Sequence, residues 1–403
     1  PIEVVGPTQD VVITASVMRP KTDNTVDLGT SSLMYKNAFF DGSITTHGIT
    51  VFDDEGTDAT IRLDGNFPTG ARNIAFGLTA LDSLDGSSPG GDNIALGNAA
   101  LTALTTGDYN IAIGSSAGDA LTTGASNIAI GHEALSTEDG HGNNVAIGYR
   151  ALKTLNAGAN AHNVAMGYDA GTAITTGTYN TLIGGEAGDA LTDGDSNVAV
   201  GYTALGQETR GDRNVAVGAY ALQAANTTTD TDVYNTAVGY NAGGTLSTGV
   251  QNTLIGGLAG DALTDADFNV AIGVSSLTAD TKGSKSTALG YETLGNQNFT
   301  TATDTYNVAV GFQAGNDVTT GTFNTLVGGL SGDAITTGVK NVAVGYASLG
   351  ATTTGGNNVA VGFSSMEVNT TGEQNVSVGN FSLDANTTGN FNTAVGTSAL
   401  GAN

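Results

Sequence analysis

A five-residue motif that recurs nineteen times constrains the fold of this chain more than any other feature. Its plainest form is Asn-Val-Ala-Val-Gly at 341–345, and only the copy at Ser286 does not begin with Asn. Fourteen of the eighteen steps between copies are 17 residues long, and the others are 20, 19, 21 and 21. A fixed short period over most of 403 residues predicts a solenoid and not a globular enzyme domain. The copies begin at Asn73, Asn93, Asn110, Asn127, Asn144, Asn163, Asn180, Asn197, Asn214, Asn235, Asn252, Asn269, Ser286, Asn307, Asn324, Asn341, Asn358, Asn375 and Asn392.

Each repeat, counted from its Asn as position 1, carries two apolar residues at positions 2 and 4. Position 3 is small, position 5 is always Gly, and positions 13 to 15 often read Thr-Thr-Gly. Apolar, largely β-branched residues spaced two apart predict a short strand with one buried face. The Gly suits a positive φ or a close backbone approach, and Thr-Thr-Gly predicts a second turn. We expect two short strands and two turns per coil, and no helix, because Gly recurs too often.

Stacking of the coils is expected to bury the apolar residues that one coil cannot bury alone. Nineteen coils at a strand spacing of about 4.8 Å predict a rod roughly 90 Å long. The Asn column is expected to form an amide ladder, which favours a structural role over a catalytic one. The predicted ladder includes Asn110, Asn127, Asn180, Asn197, Asn252, Asn269, Asn324, Asn341, Asn358 and Asn375.

A second period divides the array into blocks of four coils that begin at Asn93, Asn163, Asn235 and Asn307. The second coil of the last three blocks has Leu at position 3 and Gly at position 6, which resembles volume compensation in a tight contact. We interpret position 3 as a face packed against another chain, where Ala lets backbones approach and Leu fills the gap. The predicted interface residues are Ala112, Ala129, Leu182, Ala199, Leu254, Leu326, Ala343 and Ala360.

The charge balance excludes some partners. The chain has 12 Lys and Arg against 38 Asp and Glu, a formal net charge of −26. This charge argues against nucleic acid and anionic membrane surfaces as partners. No apolar run approaches the roughly 20 residues that a membrane helix needs, so no membrane insertion is expected. There is no Cys, so disulfides and thiolate metal sites are excluded.

The first 72 residues differ from the repeats and are predicted to form a small β-rich N-terminal collar or connector at 1–72. Strands are expected at 11–17 and 61–63. The stretch 27–44 contains Leu-Gly-Thr, an aromatic residue, Lys-Asn, an aromatic pair and then Gly before a further strand. It resembles a module of phage tail fibres. The resemblance implies contacts between this region and other virion or tail proteins.

The repeats at 73–403, predicted to form the shaft, also resemble a known class of protein. The stretch 392–400 reads Asn-Thr-Ala-Val-Gly-Thr-Ser-Ala-Leu. Such units resemble the repeats in the heads of trimeric autotransporter adhesins and, more closely, arrays in phage fibres. The resemblance implies an all-β, left-handed parallel β-roll or β-solenoid of about 19 coils, assembled as an elongated homotrimer. The array stops in mid-unit at 402–403, so we expect that more chain followed.

We therefore expect a structural fibre protein, the rigid shaft of a phage tail fibre or virion appendage that contributes to host-surface attachment. The expected location is the virion, outside the cell. The 17-residue period exceeds the usual adhesin repeat, and with the N-terminal module it favours phage. The alternative is a bacterial adhesin head at the cell surface that binds glycans or proteins directly. No enzymatic activity is expected, because the repeats put acidic residues in turns and not in a groove.

Aromatic residues concentrate in two columns, at position 6 and at the residue just before the next Asn. Fifteen of the 24 Phe and Tyr residues lie there. Exposed rings are able to stack on sugars of a cell envelope, and the alternative is packing of corners and subunit edges. The candidates for glycan contact are Tyr149, Tyr168, Tyr202, Tyr240 and Tyr346.

Acidic residues supply only weak candidates for metal binding. Carboxylate oxygens in turns are ligands that suit Ca²⁺. The calcium-binding nonapeptide motif is absent, however, and solvated or turn-capping carboxylates are the favoured alternative. No catalytic or cofactor motif is present. The weak metal candidates, one per block in the second coil, are Asp119, Asp189, Asp261 and Asp333.

Overall fold

The structure, a computed structural model, describes residues 2–5, 10–13, 18–20, 72–84 and 90–401. Two compact units divide the chain, Pro1–Arg62 and Leu63–Asn403.

The first unit contains an antiparallel sheet of three strands in the order β1-β2-β3. These strands are β1 (Ile2–Val5), β2 (Asp10–Ile13) and β3 (Met18–Pro20). The strand expected at 11–17 therefore coincides with β2 as far as Ile13. Its remainder, the module at 27–44 and the strand expected at 61–63 lie outside the described residues.

The second unit is a parallel β-solenoid of nineteen coils, and each coil contributes one three-residue strand from positions 2 to 4. Each strand pairs in register with the same positions of the next coil, as Val342 does with Val359. The first and last strands of this ladder do not contact each other, so the sheet is open. The strands are β4 (Ile74–Phe76), β5 (Ile94–Leu96), β6 (Ile111–Ile113), β7 (Ile128–Ile130), β8 (Val145–Ile147), β9 (Val164–Met166), β10 (Thr181–Ile183), β11 (Val198–Val200), β13 (Val215–Val217), β15 (Thr236–Val238), β16 (Thr253–Ile255), β17 (Val270–Ile272), β19 (Thr287–Leu289), β21 (Val308–Val310), β22 (Thr325–Val327), β23 (Val342–Val344), β24 (Val359–Val361), β25 (Val376–Val378) and β26 (Thr393–Val395).

The extra residues of the two 21-residue coils lie in loops that add small sheets beside the main ladder. One pairs β12 (Gly211–Asp212) with β14 (Thr231–Asp232), and the other pairs β18 (Gly283–Ser284) with β20 (Thr303–Asp304). The main ladder keeps its register across these insertions.

The sequence predicts two strands in every coil, and this prediction is wrong: among the described residues only the coils that contain β12, β14, β18 and β20 have a second, two-residue strand, and the other coils have one strand. The rest of each coil is a chain of turns that is still hydrogen-bonded to the next coil, as between Leu101 N and Ala117 O at 3.1 Å. Positions 7 and 9 adopt left-handed conformations, with φ of 56° at Ala99 and 50° at Leu101, and this interrupts an extended strand. Such conformations cost roughly 1–2 kcal/mol per residue outside Gly, so they depend on the hydrogen bonds between coils.

The Gly at position 5 is required by both its backbone and its neighbour. Gly345 has a φ of 134°, which L-residues rarely adopt. A Cβ at this position would overlap the carbonyl group of Gly362 in the next coil. The glycine column thus lets successive backbones stack at strand spacing.

The Asn column is buried except for Asn392 in the last coil, and it joins successive coils to one another. The Oδ1 of Asn252 accepts a hydrogen bond from the main-chain N of Asn269 at 3.0 Å. Its Nδ2 donates to the carbonyl oxygen of Ala266 at 2.8 Å, at position 15 of the same coil, where most coils have Gly. Contacts between amides also occur, as from Asn252 Nδ2 to Asn235 Oδ1 at 3.2 Å. The ladder is therefore mainly a side-chain-to-backbone network, and not the simple amide-to-amide ladder that the sequence predicts.

Position 3 points into the solenoid, so the predicted interface with another chain at this position is wrong. Strand alternation places positions 1 and 3 on one face of the sheet, and both are covered by the turns of their own chain. The eight proposed interface residues expose no more than 1% of their surface: Ala112, Ala129, Leu182, Ala199, Leu254, Leu326, Ala343 and Ala360. They belong to the core, together with the residues at positions 8, 9 and 12.

The volume compensation inferred from Leu at position 3 does occur, but inside the core. Most coils have Leu at position 9, whereas Gly171 and Gly188 occupy that position on either side of Leu182. A Cβ at Gly188 would lie 2.9 Å from Leu182 Cδ2, and one at Gly171 would lie 2.7 Å from Leu182 Cδ1. The larger residue at position 3 therefore fills the space that two glycines leave at position 9.

We predict a strong coupling between Leu182 and Gly188. Leu182→Ala opens a cavity and is expected to cost about 2–5 kcal/mol of stability. Gly188→Ala forces a clash with the Leu182 side chain and also destabilises. The double variant is expected to cost at least about 1 kcal/mol less than the sum, measured by urea unfolding. Additive costs in this cycle would contradict the packing described, and Leu182→Ala combined with the distant Ala309→Gly is the additive control.

Candidate functional site

The outward side chains at positions 2 and 4, here called the strand face, form a long apolar stripe. Position 2 is half-buried in most coils, and position 4 is exposed in several of them. Ile113, Ile183 and Ile255 at position 4 each expose 37% of their surface. Over nineteen coils the stripe extends about 85 Å at strand spacing. Contiguous apolar patches beyond a few hundred Å² mark interaction sites on soluble proteins.

The outward orientation of positions 2 and 4 could have been predicted from the sequence. If the Asn at position 1 is buried, alternation along an extended strand makes position 3 buried and positions 2 and 4 exposed. The β-branched residues at 2 and 4 favour an interpretation as core, because apolar residues usually lie inside. The small size of position 3, which holds mostly Ala, was the signal for a narrow interior.

The aromatic residues at position 6 lie exposed along one edge of each coil. The five candidates for glycan contact, Tyr149, Tyr168, Tyr202, Tyr240 and Tyr346, expose between 42% and 60% of their surface. Neighbouring rings stack along the column: the centroids of Tyr149 and Tyr168 lie 5.3 Å apart with planes inclined by 8°.

The second aromatic column, just before each Asn, is built in the same way. The rings of His162 and Tyr179 stack with centroids 5.4 Å apart. The guanidinium of Arg213 lies 5.6 Å from the centroid of the Tyr234 ring. The two columns flank the strand face in sequence, two residues before position 2 and two residues after position 4. Both uses of these rings, ligand contact and packing at subunit edges, agree with this placement.

The four candidate metal ligands in the second coils are half-buried and separate from one another. Successive members lie four coils apart, or roughly 19 Å, which is too far for two to share an ion along one chain. Desolvation by burial raises the pKa of Asp119, Asp189 and Asp333 above the ordinary range for Asp. Asp261 accepts a hydrogen bond from Thr278 Oγ1 at 2.5 Å. Calcium binding at these residues stays a prediction.

Several carboxylates in turns bind the main chain of the preceding coil. Asp195 Oδ1 accepts hydrogen bonds from the N and Oγ1 of Thr178 at 2.6 and 2.9 Å. Asp267 Oδ1 accepts one from Val250 N at 2.9 Å. These oxygens serve as links between coils.

Buried carboxylates at position 12 were not foreseen from the sequence. Glu138, Glu208 and Asp280 are fully buried, each in the third coil of its block. Glu208 Oε1 accepts hydrogen bonds from the main-chain N of Thr209, Gly211 and Thr227, at 2.9, 2.8 and 2.8 Å. The fourth coil of each of these blocks is 19 or 21 residues long, whereas the fourth block has Thr352 at position 12 and no insertion. The acids thus fix the longer loops.

One of these acids belongs to a group that resembles a metal site. Glu138, Asp139 and His141 each place a ligand atom within 4.8 Å of the others. Glu138 Oε1 accepts a hydrogen bond from His141 N at 3.2 Å, and its Oε2 accepts one from Ala157 N at 3.4 Å. Because both oxygens are engaged with the loops, we describe the group as a loop anchor.

Comparisons with protein-family models, with curated proteins and with solved structures found no significant match to this chain. Among the described residues, the structure has no helix long and apolar enough to cross a membrane.

Removal of the Glu208 carboxylate is expected to release the loop at 226–232. Glu208→Ala leaves the buried N–H of Gly211 and the part-buried N–H groups of Thr209 and Thr227 without an acceptor, at about 1–3 kcal/mol each, so a loss of about 3 kcal/mol or more is predicted. Glu208→Gln keeps one acceptor oxygen, so its loss of stability should lie between that of the wild type and that of Glu208→Ala. Limited proteolysis and urea unfolding measure both effects, with exposed Glu373→Ala as the control. A loop that is cleaved no faster in Glu208→Ala would contradict the anchor role.

The raised pKa of Asp189 predicts a pH-dependent effect of Asp189→Asn. A raised pKa in the folded state means that the charged form is disfavoured there, so this residue lowers stability above the ordinary carboxyl range near 3.9. The cost disappears once the carboxyl is protonated at lower pH. Asp189→Asn should therefore stabilise at about pH 7 and have little effect at about pH 3, in EDTA. Exposed Asp230→Asn controls for net charge, and an equal gain by both variants would refute the assignment.

Proposed function

We propose that this protein is the shaft of a trimeric fibre, formed by three parallel solenoids packed through their strand faces. The single observation that carries the proposal is the uncovered apolar stripe at positions 2 and 4. Its two columns, half-buried at position 2 and more open at position 4, amount over nineteen coils to an area on the order of 2,000 Å², above the roughly 800 Å² per partner of a standard interface.

The coil period of the strand face supports further copies of this chain as its binding partners. The stripe repeats at the coil spacing of about 4.8 Å, and a second copy in register has the same repeat along its whole length. Closed symmetry then brings identical coils together at the same height. The number three comes from the resemblance of the repeat to trimeric adhesin heads and phage fibres.

The acidic surface supports the choice of this face over others. With a net charge of −26 per chain, charged sides of two copies repel each other. The strand face carries Ile, Val, Leu, Thr and two larger residues, Phe76 and Met166, and no charged residue, so close approach there is least opposed. Association through it would leave the acidic turns in solvent and keep the fibre soluble.

The proposed biological role is that of a phage tail fibre or related virion appendage. Support comes from the module at 27–44 and from the 17-residue repeats. In this role the stacked coils supply rigidity and reach, the N-terminal region attaches to other virion proteins, and the fibre contributes to host-surface attachment. We assign no catalytic role. Gold-labelled antibody against the purified protein should mark thin appendages on phage particles.

A second candidate function is that of a bacterial adhesin head that binds surface glycans or proteins itself. The exposed aromatic rings at position 6 favour it. The same antibody would then label the bacterial surface and no virion.

Charged substitutions on the strand face are expected to dissociate the trimer. Light scattering of the purified chain should give a mass near three times 40.0 kDa. Ile183→Glu combined with Val344→Glu places charges in the proposed interface and should give monomers, whereas Thr337→Glu, in an exposed turn, should not. A monomeric wild-type chain, or a trimer that is indifferent to both strand-face substitutions, would overturn the proposal.

A further inference from the structure

The column of rings at position 6 is interrupted at a regular place. In the second coil of the last three blocks, position 6 is Gly: Gly185, Gly257 and Gly329. An exposed aromatic residue precedes each Gly by one coil, namely Tyr168, Tyr240 and Phe312. In two of the blocks an aromatic residue also follows by one coil, namely Tyr202 and Tyr346.

The column also lacks a position-6 ring at Val274 and at Ala219, where the ring of Tyr220 from position 7 lies 5.6 and 5.8 Å from the rings of Tyr202 and Tyr240. The glycine gaps at Gly185 and Gly329 differ from the Ala219 gap because no position-7 ring accompanies them.

Each of the two rings that flank the gap at Gly329 stacks on another ring on the side away from the gap. Phe312 stacks on Tyr291 with centroids 5.4 Å apart, and Tyr346 stacks on Phe363 at 5.4 Å. The faces of Phe312 and Tyr346 that turn away from these partners border the gap. At Gly185, Tyr168 is likewise backed by Tyr149 at 5.3 Å.

Neither backbone conformation nor lack of space requires Gly at these positions. None of the three has a φ in the left-handed region. A Cβ at Gly257 would meet nothing within 4 Å, and one at Gly185 would meet only the Tyr202 ring, at an ordinary 3.5 Å. The Leu at position 3 of the same coil does not explain them either, because it fills the interior over position 9.

A gap of this kind has room for one ring. Its walls lie two coil steps apart, about 9.6 Å, so a ring midway would lie about 4.8 Å from each. This distance falls within the range of roughly 4.5–7 Å at which paired rings attract. The aromatic faces are electron-rich and suit the C–H face of a sugar ring.

Two other occupants are disfavoured by symmetry and by charge. In a three-fold assembly with coils in register, each partner also has Gly at position 6 at the height of the gap, so no partner ring from this column is available. A net charge of −26 disfavours nucleic-acid bases and acidic glycans. Glu186 lies close enough to Tyr202 to raise the pKa of its hydroxyl, and it provides a hydrogen-bond acceptor at the rim of one gap.

We propose that the gaps at Gly185 and Gly329 are slots that each bind one pyranose ring of a neutral, linear polysaccharide between two aromatic side chains. The gap at Gly257 has Val274 as its second wall and is the weakest of the three. The two full slots lie eight coils apart, or roughly 38 Å, so one long chain is able to occupy both. Such bivalent binding strengthens weak single contacts. The slots deepen the proposed role in attachment, and they do not depend on whether the fibre is phage or bacterial.

Filling the slots with rings tests the proposal without removing any part of the fold. Gly185→Tyr combined with Gly329→Tyr introduces the residue that other coils carry at position 6. Affinity electrophoresis in gels containing dextran, and calorimetry with cellohexaose and chitohexaose, measure binding by the full chain. We expect binding to at least one probe, weakened at least tenfold by the double variant and by Tyr168→Ala combined with Phe312→Ala.

Two controls separate this proposal from the proposed shaft. Ser115→Tyr makes the equivalent change in the first block, where Asn98 supplies no wall, and should leave binding unchanged. Light scattering on each variant should still report the trimer. Binding to none of the three probes, or binding that survives the filled slots, overturns the inference whatever the oligomeric state. Loss of the trimer in wild type overturns the shaft alone.

Discussion

The hydrogen bonds of the buried Asn column are the interaction on which the rest of the structure depends. Most of these Asn side chains accept from the backbone of the next coil and donate to the corner of their own, as Asn252 does, so one side chain closes a coil and joins it to its neighbour. The one coil that begins with Ser instead of Asn shows which hydrogen bonds must be replaced. At Ser286, the amide of Gln297 donates to Ser286 Oγ at 2.9 Å and accepts from Asn307 Nδ2 at 2.8 Å. The main-chain N of Asn307 donates to Thr305 Oγ1 at 3.3 Å, so a Gln amide and a Thr hydroxyl together stand in for the missing Asn.

Because the Asn column lies inside the solenoid, position 3 on the same face of each strand also lies inside. The alternating apolar residues must then lie on the outer face. Positions 1 and 3 face inward, so the core has room for Ala and occasional Leu, and the β-branched residues at positions 2 and 4 must face outward. A single chain therefore leaves its strand face uncovered. The proposed trimer covers that face with two more copies, while the acidic turns and the aromatic columns stay at the edges.

The repeat, the stacking and the parallel in-register solenoid of about nineteen coils were predictable, because the fixed period and the invariant Gly admit few other folds. The number of strands per coil was not predictable, because left-handed φ at residues such as Leu101 depends on contacts between coils and leaves no local signal in the sequence. Position 3 was assigned to the wrong side because Ala fits an interface and a thin core equally well. The buried Glu208 was missed because an acid in a repeat is ordinarily expected in solvent.

The most direct test of the central role of the Asn column is to remove one amide and then return it from another position. Asn252→Ser, measured by urea unfolding, should cost about 3 kcal/mol, because the N of Asn269 and the carbonyl of Ala266 lose buried partners. Adding Leu263→Gln, which copies the arrangement at Ser286 and Gln297, should restore part of that loss. An Asn252→Ser chain as stable as the wild type would contradict the account.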